Sequence, residues 1–155
     1  MSTVMTLRIH SADSADTEAF GERIGRRLRG GETIELISDL GGGKTTFTRG
    51  IVRGTGSHDK VASPTFTVSR EYKTPSFIIE HFDFYRLAEA GIMADELSEF
   101  IGDPESVIIV EWGEVVRDIL PIERLSVQLV LVAEEGREIV CTYPEALAYL
   151  LEGEA

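Results

Sequence analysis

The chain has 155 residues, 43% of them hydrophobic, a size and composition that suit one domain built around a single core. With 15 Lys and Arg against 27 Asp and Glu, its formal charge of −12 repels phosphate backbones and argues against independent tight binding of RNA or DNA. No run approaches the roughly 18 apolar residues of a membrane span, and Met1 to His10 lacks a basic segment leading into an apolar one, so a cytoplasmic protein with no membrane association is expected.

In chain order, Phe20, Ile24 and Leu28 recur every fourth residue, with Ala19 beside them, which predicts an amphipathic helix from Asp16 to Arg29. Ser14, Asp16 or Thr17 can cap its start and Gly30-Gly31 ends it. Arg23, Arg26, Arg27 and Arg29 read as a solvated face with cations near the helix C-terminus. Thr33 to Ile37 is the first predicted strand, central because it is almost uninterrupted by polar residues. A helix over Lys44 to Arg53 offers Phe47, Ile51 and Val52 to the core and stops at Gly54 and Gly56. Pro64 fits an extended segment; Phe66, Val68 and Tyr72 then alternate with polar residues, and after the turn at Lys73 to Ser76 the run Phe77 to Phe84 completes a hairpin.

Ala94 to Ile101 reads as a helix, a spacer or lid, with Leu97, Phe100 and Ile101 on one face. Ser106 to Trp112 contains four consecutive β-branched aliphatics and predicts a strand buried on both faces. Leu125 to Val132 and Glu138 to Tyr143 form a second hairpin, in which Cys141, the single cysteine, reads as a packing residue. Pro144 can open a final helix bearing Leu147, Leu150 and Leu151.

Three stretches carry chemistry. Ser38 to Thr46 matches G-x-x-x-x-G-K-[ST] with serine in place of the first glycine. Gly41, Gly42 and Gly43 leave room for backbone N–H groups to converge on phosphate oxygens, Lys44 reaches the β- and γ-phosphates, the Thr45 hydroxyl takes a position on Mg²⁺ and Thr46 opens the helix. Asp39, Leu40, Gly41, Gly42, Gly43, Lys44, Thr45 and Thr46 are therefore the expected nucleotide-binding set. Glu111, at the C-terminal end of a predicted buried strand, is where P-loop proteins hold Mg²⁺ or its water. His81 to Leu87 puts an imidazole, a carboxylate and a guanidinium at a strand end. It reads equally as a ligand-facing group or as a charged terminus with an Asp83 to Arg86 ion pair.

Together, Asp39 to Gly50, Ser63-Pro-Thr-Phe-Thr67, His81-Phe-Asp-Phe-Tyr-Arg-Leu87 and Val110-Glu-Trp112 resemble the TsaE (YjeE) family in order and spacing over nearly the whole chain. The resemblance implies a P-loop ATPase that binds ATP and Mg²⁺ and supports threonylcarbamoyl modification of the tRNA adenosine beside the anticodon. It would act on the TsaB and TsaD proteins and meet tRNA through them, with no role for DNA. It further implies that Thr45 and Glu111 hold the metal and that Ser63 to Thr67 form a switch-like segment. Lys44, Asp83 and Glu111 would be catalytic, with Asp83 positioning water or metal. Ser14 and Arg137 would contact nucleotide. The expected fold is a three-layer α/β P-loop NTPase domain over residues 1–155, with a mostly parallel central sheet and added antiparallel hairpins. No arginine finger is identifiable, which leaves the partner complex or Arg86 to supply one. A small-molecule kinase and a nucleotide-dependent binding module are the alternatives; a GTPase would need an N-K-x-D sequence, which is absent.

Overall fold

The structure is a computed structural model and describes residues 4–38, 43–61, 69–84 and 91–154. Its elements are β1 (Val4–Ser11), α1 (Ser14–Arg27), β2 (Thr33–Ile37), α2 (Lys44–Gly54), β3 (Ser69–Lys73), β4 (Ile78–Asp83), α3 (Ile92–Phe100), β5 (Ser106–Glu111), β6 (Leu125–Leu131) and β7 (Arg137–Pro144). Short 3-10 helices cover Gly113–Val116 and Glu145–Leu151. Among the described residues no helix is long and apolar enough to cross a membrane. The strands form one sheet in the order β1-β7-β6-β2-β5-β4-β3. β6, β2, β5 and β4 run parallel, and the β3–β4 and β6–β7 hairpins and β1 extend the sheet antiparallel at its two sides. The expected α/β architecture with a parallel centre is therefore present.

Three sequence expectations change. Thr33–Ile37 is the second strand, not the first, because Val4–Ser11 precedes it and pairs with β7 along its length. Its alternation of exposed and half-buried residues is that of an edge strand with one solvated face. Helix α1 is capped by Asp13, whose carboxylate accepts from the Asp16 N–H at 2.9 Å, while Asp16 accepts in turn from the Ala12 N–H at 3.0 Å. Ser14 and Thr17 lie inside the helix, and Thr17 spends its hydroxyl on Ser11 at 2.7 Å. The last helix is 3-10 rather than α, although Leu147, Leu150 and Leu151 are buried as its spacing requires.

Apolar residues fill both faces of the sheet. Phe20, Ile24, Phe47 and Ile51 of α1 and α2 pack on Ile34, Leu36, Ile79, Ile109 and Val127 on one side. Leu97 packs on Phe82, Ile108 and Val110 on the other, with Phe100 and Ile101 against them. Cys141 is fully buried, and burial pushes its thiol up to about 12, so it packs and does not react. Of the four arginines read as a solvated face, Arg23 and Arg27 instead hold Glu154. Burial would raise that carboxyl, but the two guanidiniums outweigh it and keep it below the usual range.

Helices α1 and α2 meet backbone to backbone. A methyl group added at Gly25 would lie 2.1 Å from the Ile51 carbonyl oxygen, and one at Gly50 or Gly54 would lie 2.1 Å from the Glu18 or Glu22 oxygen. Gly21 faces Phe47 in the same way at 2.5 Å. Glu18 and Glu22 then pair with Arg49 and Arg53 beside the crossing. Gly50→Ala should destabilise the protein by about 1–3 kcal/mol through overpacking against rigid backbone, measured as a lowered urea midpoint with unchanged m-value.

On the opposite face, Glu80 of β4 is buried beside Glu71, its cross-strand partner, and near Glu96 of α3. Burial, then the Glu71 carboxylate, push its carboxyl up to about 7. The native state therefore holds a proton that the unfolded chain releases near 4.5, and stability falls as pH rises through that window. Glu80→Gln should gain about 1 kcal/mol above pH 7, after allowance for solvent screening, and nothing at pH 4. Paired urea titrations at the two pH values measure this.

Candidate nucleotide-binding site

Parallel sheets present their ligands at the carboxyl ends of the strands, and here β2, β4 and β5 end around the start of α2. Gly43 caps α2 with φ +102°, a left-handed conformation that glycine adopts without strain. The helix begins at Lys44, where its expected span of Lys44 to Arg53 starts, and Thr46 lies inside its first turn rather than opening it. Its first turn contains no acid and Gly43 offers no side chain to cap it, so among the described residues no acidic or capping side chain of the helix occupies its positive end, where an anion is favoured.

Lys44 is 8% exposed. Its ammonium donates to the Ser38 carbonyl at 3.1 Å and lies 4.4 Å above the ring of Trp112. The serine that replaces the first P-loop glycine thus serves Lys44 through its backbone oxygen, which any residue supplies. Trp112 directly follows β5 and has φ +57°, the only positive φ outside glycine among the described residues. Such a conformation is uncommon for a bulky side chain and clusters at functional sites.

Glu111 is not a solvated loop charge: it is the last residue of β5 and 3% exposed. Asp83 is its register partner on β4 and is also buried. Because side chains alternate along a strand, His81 and Asp83 share a face, and the contact between His81 and Glu111 puts both acids on the α2 side. Glu111 Oε2 lies 2.5 Å from His81 Nε2, and His81 Nδ1 lies 3.3 Å from the Tyr72 hydroxyl.

On the other flank of α2 an open pocket is lined by Ser14, Thr17, Gly43, Thr46, Glu134, Glu135 and Arg137. The β6–β7 turn closes it, and Arg137 Nε sits 3.8 Å from where a Cβ on Gly43 would be. Ser14 and Arg137, far apart in sequence, therefore meet at the N-terminus of α2. Thr17, Glu134, Glu135 and Tyr72 carry no sequence motif. What points to them is position: one turn of helix after Ser14, the tip of the predicted hairpin, and the strand paired with the one that carries His81. Asp39 to Gly42, Ser63 to Thr67 and Arg86 lie outside the described residues.

A glycine-rich sequence between a central parallel strand and a helix that begins with lysine, with an acid ending the adjacent strand, defines the P-loop class of nucleotide-binding proteins. The family described as threonylcarbamoyl adenosine biosynthesis protein TsaE matches residues 11–139, and the chain belongs to that family. It is 35% identical over 141 residues to the tRNA threonylcarbamoyladenosine biosynthesis protein TsaE of Bacillus subtilis, an alignment covering 88% of this chain and 85% of the relative. With the protein of that name from Treponema pallidum it shares 33% identity over 133 residues, 86% of this chain and 98% of the other. The crystal structure of YdiB from Bacillus subtilis superposes with a TM-score of 0.80 at 29% identity, covering 99% of both chains.

The Lys44 contact gives an optical readout, since Trp112 is the only tryptophan. Lys44→Ala should change Trp112 emission in the nucleotide-free protein. ATP should move the wild-type emission in the same direction, as phosphate draws the ammonium off the ring, and should leave the variant unmoved.

Proposed function

We propose that this protein binds and hydrolyses ATP with Mg²⁺ as an accessory to tRNA threonylcarbamoyladenosine synthesis, acting on the TsaB and TsaD proteins and meeting tRNA only through them. The supporting observation is the two-sided arrangement about the N-terminus of α2. Ser14 and Arg137 line a pocket on one flank, and Lys44, Glu111 and Asp83 converge on the other. A nucleoside in the pocket would send its phosphates across Gly43 and the open helix end to Lys44.

The donor set fits Mg²⁺. Glu111 and the Thr45 hydroxyl are hard oxygen donors, and among the described residues no cluster of three or more His, Cys, Asp or Glu could form an all-protein cage. Mg²⁺ retains waters and uses one or two protein oxygens plus substrate phosphates, so Thr45 and Glu111 would hold it. When bound, the metal supplies charge neutralisation at the phosphate oxygens. Lys44 adds a fixed positive charge where negative charge develops, and Asp83, beside Glu111, orients water for attack in line with the leaving group. The charge of −12 supports a role exercised through protein partners rather than by direct grip on tRNA.

Steady-state ATP hydrolysis with and without TsaB and TsaD from the same organism tests this reading. Partners should stimulate turnover. Lys44→Ala and Glu111→Ala should each lower it by about a hundredfold or more, and Arg137→Ala should raise KM about fivefold with little change in kcat. Nucleotide binding without hydrolysis under every condition would reduce the protein to a binding module, and absence of binding would overturn the reading.

A further inference from the structure

A buried carboxylate needs hydrogen-bond partners, and the identity of those partners decides how much negative charge it offers to anything else. Glu35, buried, and Glu154, half-buried, are held by guanidiniums: Arg124 and Arg117 for the first, Arg23 and Arg27 for the second. Glu111 is held differently. Its partner is the imidazole of His81, 1% exposed, and the imidazole is backed by the hydroxyl of Tyr72, also 1% exposed.

In the tautomer with the proton on Nε2 every member of this relay is satisfied. Tyr72 donates to Nδ1 and Nε2–H donates to Glu111 Oε2. One carboxylate oxygen is thereby fixed while its other oxygen stays outside the relay. The support is rigid, because Tyr72 and His81 lie on the two strands of one antiparallel hairpin, their rings 5.9 Å apart, and β4 pairs directly with β5. We infer that His81, locked by Tyr72, is a positioning residue that presents Glu111 to the magnesium ion of the bound nucleotide. The inference rests on the proposed role of Glu111 toward Mg²⁺.

A histidine that merely fills the core is distinguished from a positioning residue by calorimetric titration of ATP into the protein with Mg²⁺ and with EDTA. His81→Leu should weaken binding about tenfold in Mg²⁺ and leave it unchanged in EDTA. His81→Gln, whose amide Nε2 can donate as the imidazole does, should recover most of the loss. Tyr72→Phe keeps the ring and removes only the hydroxyl; it should lose about threefold, again in Mg²⁺ alone, and it decides the matter if His81→Leu does not fold. Equal losses in both arms, or none in either, would overturn the inference while leaving the ATPase reading intact. A wild-type chain that binds ATP equally well with Mg²⁺ and EDTA would overturn the metal role of Glu111 and this inference with it.

Discussion

The α1–α2 crossing constrains everything else at the site. Four glycines, Gly21 and Gly25 on one helix and Gly50 and Gly54 on the other, bring the helix backbones into van der Waals contact, with no side-chain layer between them to yield. Packing of this kind has no soft coordinate, so α2 cannot slide or tilt without colliding with α1. Since Lys44 is the first residue of α2 and Ser14 the first of α1, the same contact fixes the position of the two relative to each other. A phosphate-binding helix end is useful only if it is already aimed before the ligand arrives, and the glycine contact supplies that aim.

Around this fixed axis the protein distributes its buried charges in two ways. Away from the site, Glu154 is held by two arginines that tie the C-terminal segment to α1, and Glu32 by the backbone N–H groups of Arg29 and Gly30 and the Tyr149 hydroxyl. At the carboxyl ends of the strands, Glu111 and Asp83 stand next to each other in register, and the His81 imidazole supports Glu111. Concentrated negative charge beside an open helix N-terminus is unfavourable for a bare anion and favourable for an anion that arrives with a divalent cation. In the proposed reading the site is matched to the metal complex of a nucleotide rather than to free phosphate.

Much of this is legible in the sequence. The buried strand Ser106–Glu111, the second hairpin and the helix following the glycine run each carry strong local signals, and each lies where its pattern places it, as does the first hairpin from Ser69 onward, Phe66 and Val68 lying outside the described residues. The edge strand β1 escapes a sequence reading although Met5, Leu7 and Ile9 alternate with polar residues; a short isolated alternation has no meaning until a partner strand is known, and that partner is β7, near the other end of the chain. The same limit hides the site's supporting residues. Tyr72 reads as an ordinary strand residue because its contact with His81 crosses to another strand, and Glu134 and Glu135 read as turn charges because the pocket they line is closed by α1. The helix cap is ambiguous for a local reason. Asp13, Ser14, Asp16 and Thr17 all carry side chains able to cap, and the choice falls to the residue that adopts the extended backbone, here Asp13 with φ −158°.

The sheet order has a consequence of its own. β2 lies between β5 and β6, so the carboxylates at the end of β5 and the hairpin tip after β6 reach α2 from opposite sides through separate pieces of chain. A change in the length or sequence of residues 132–136 alters the wall of the pocket without touching the strands that carry Glu111 and Asp83. In the proposed reading, base preference and the rate of phosphate cleavage would then be independently variable traits, so a lineage could retune one without relearning the other.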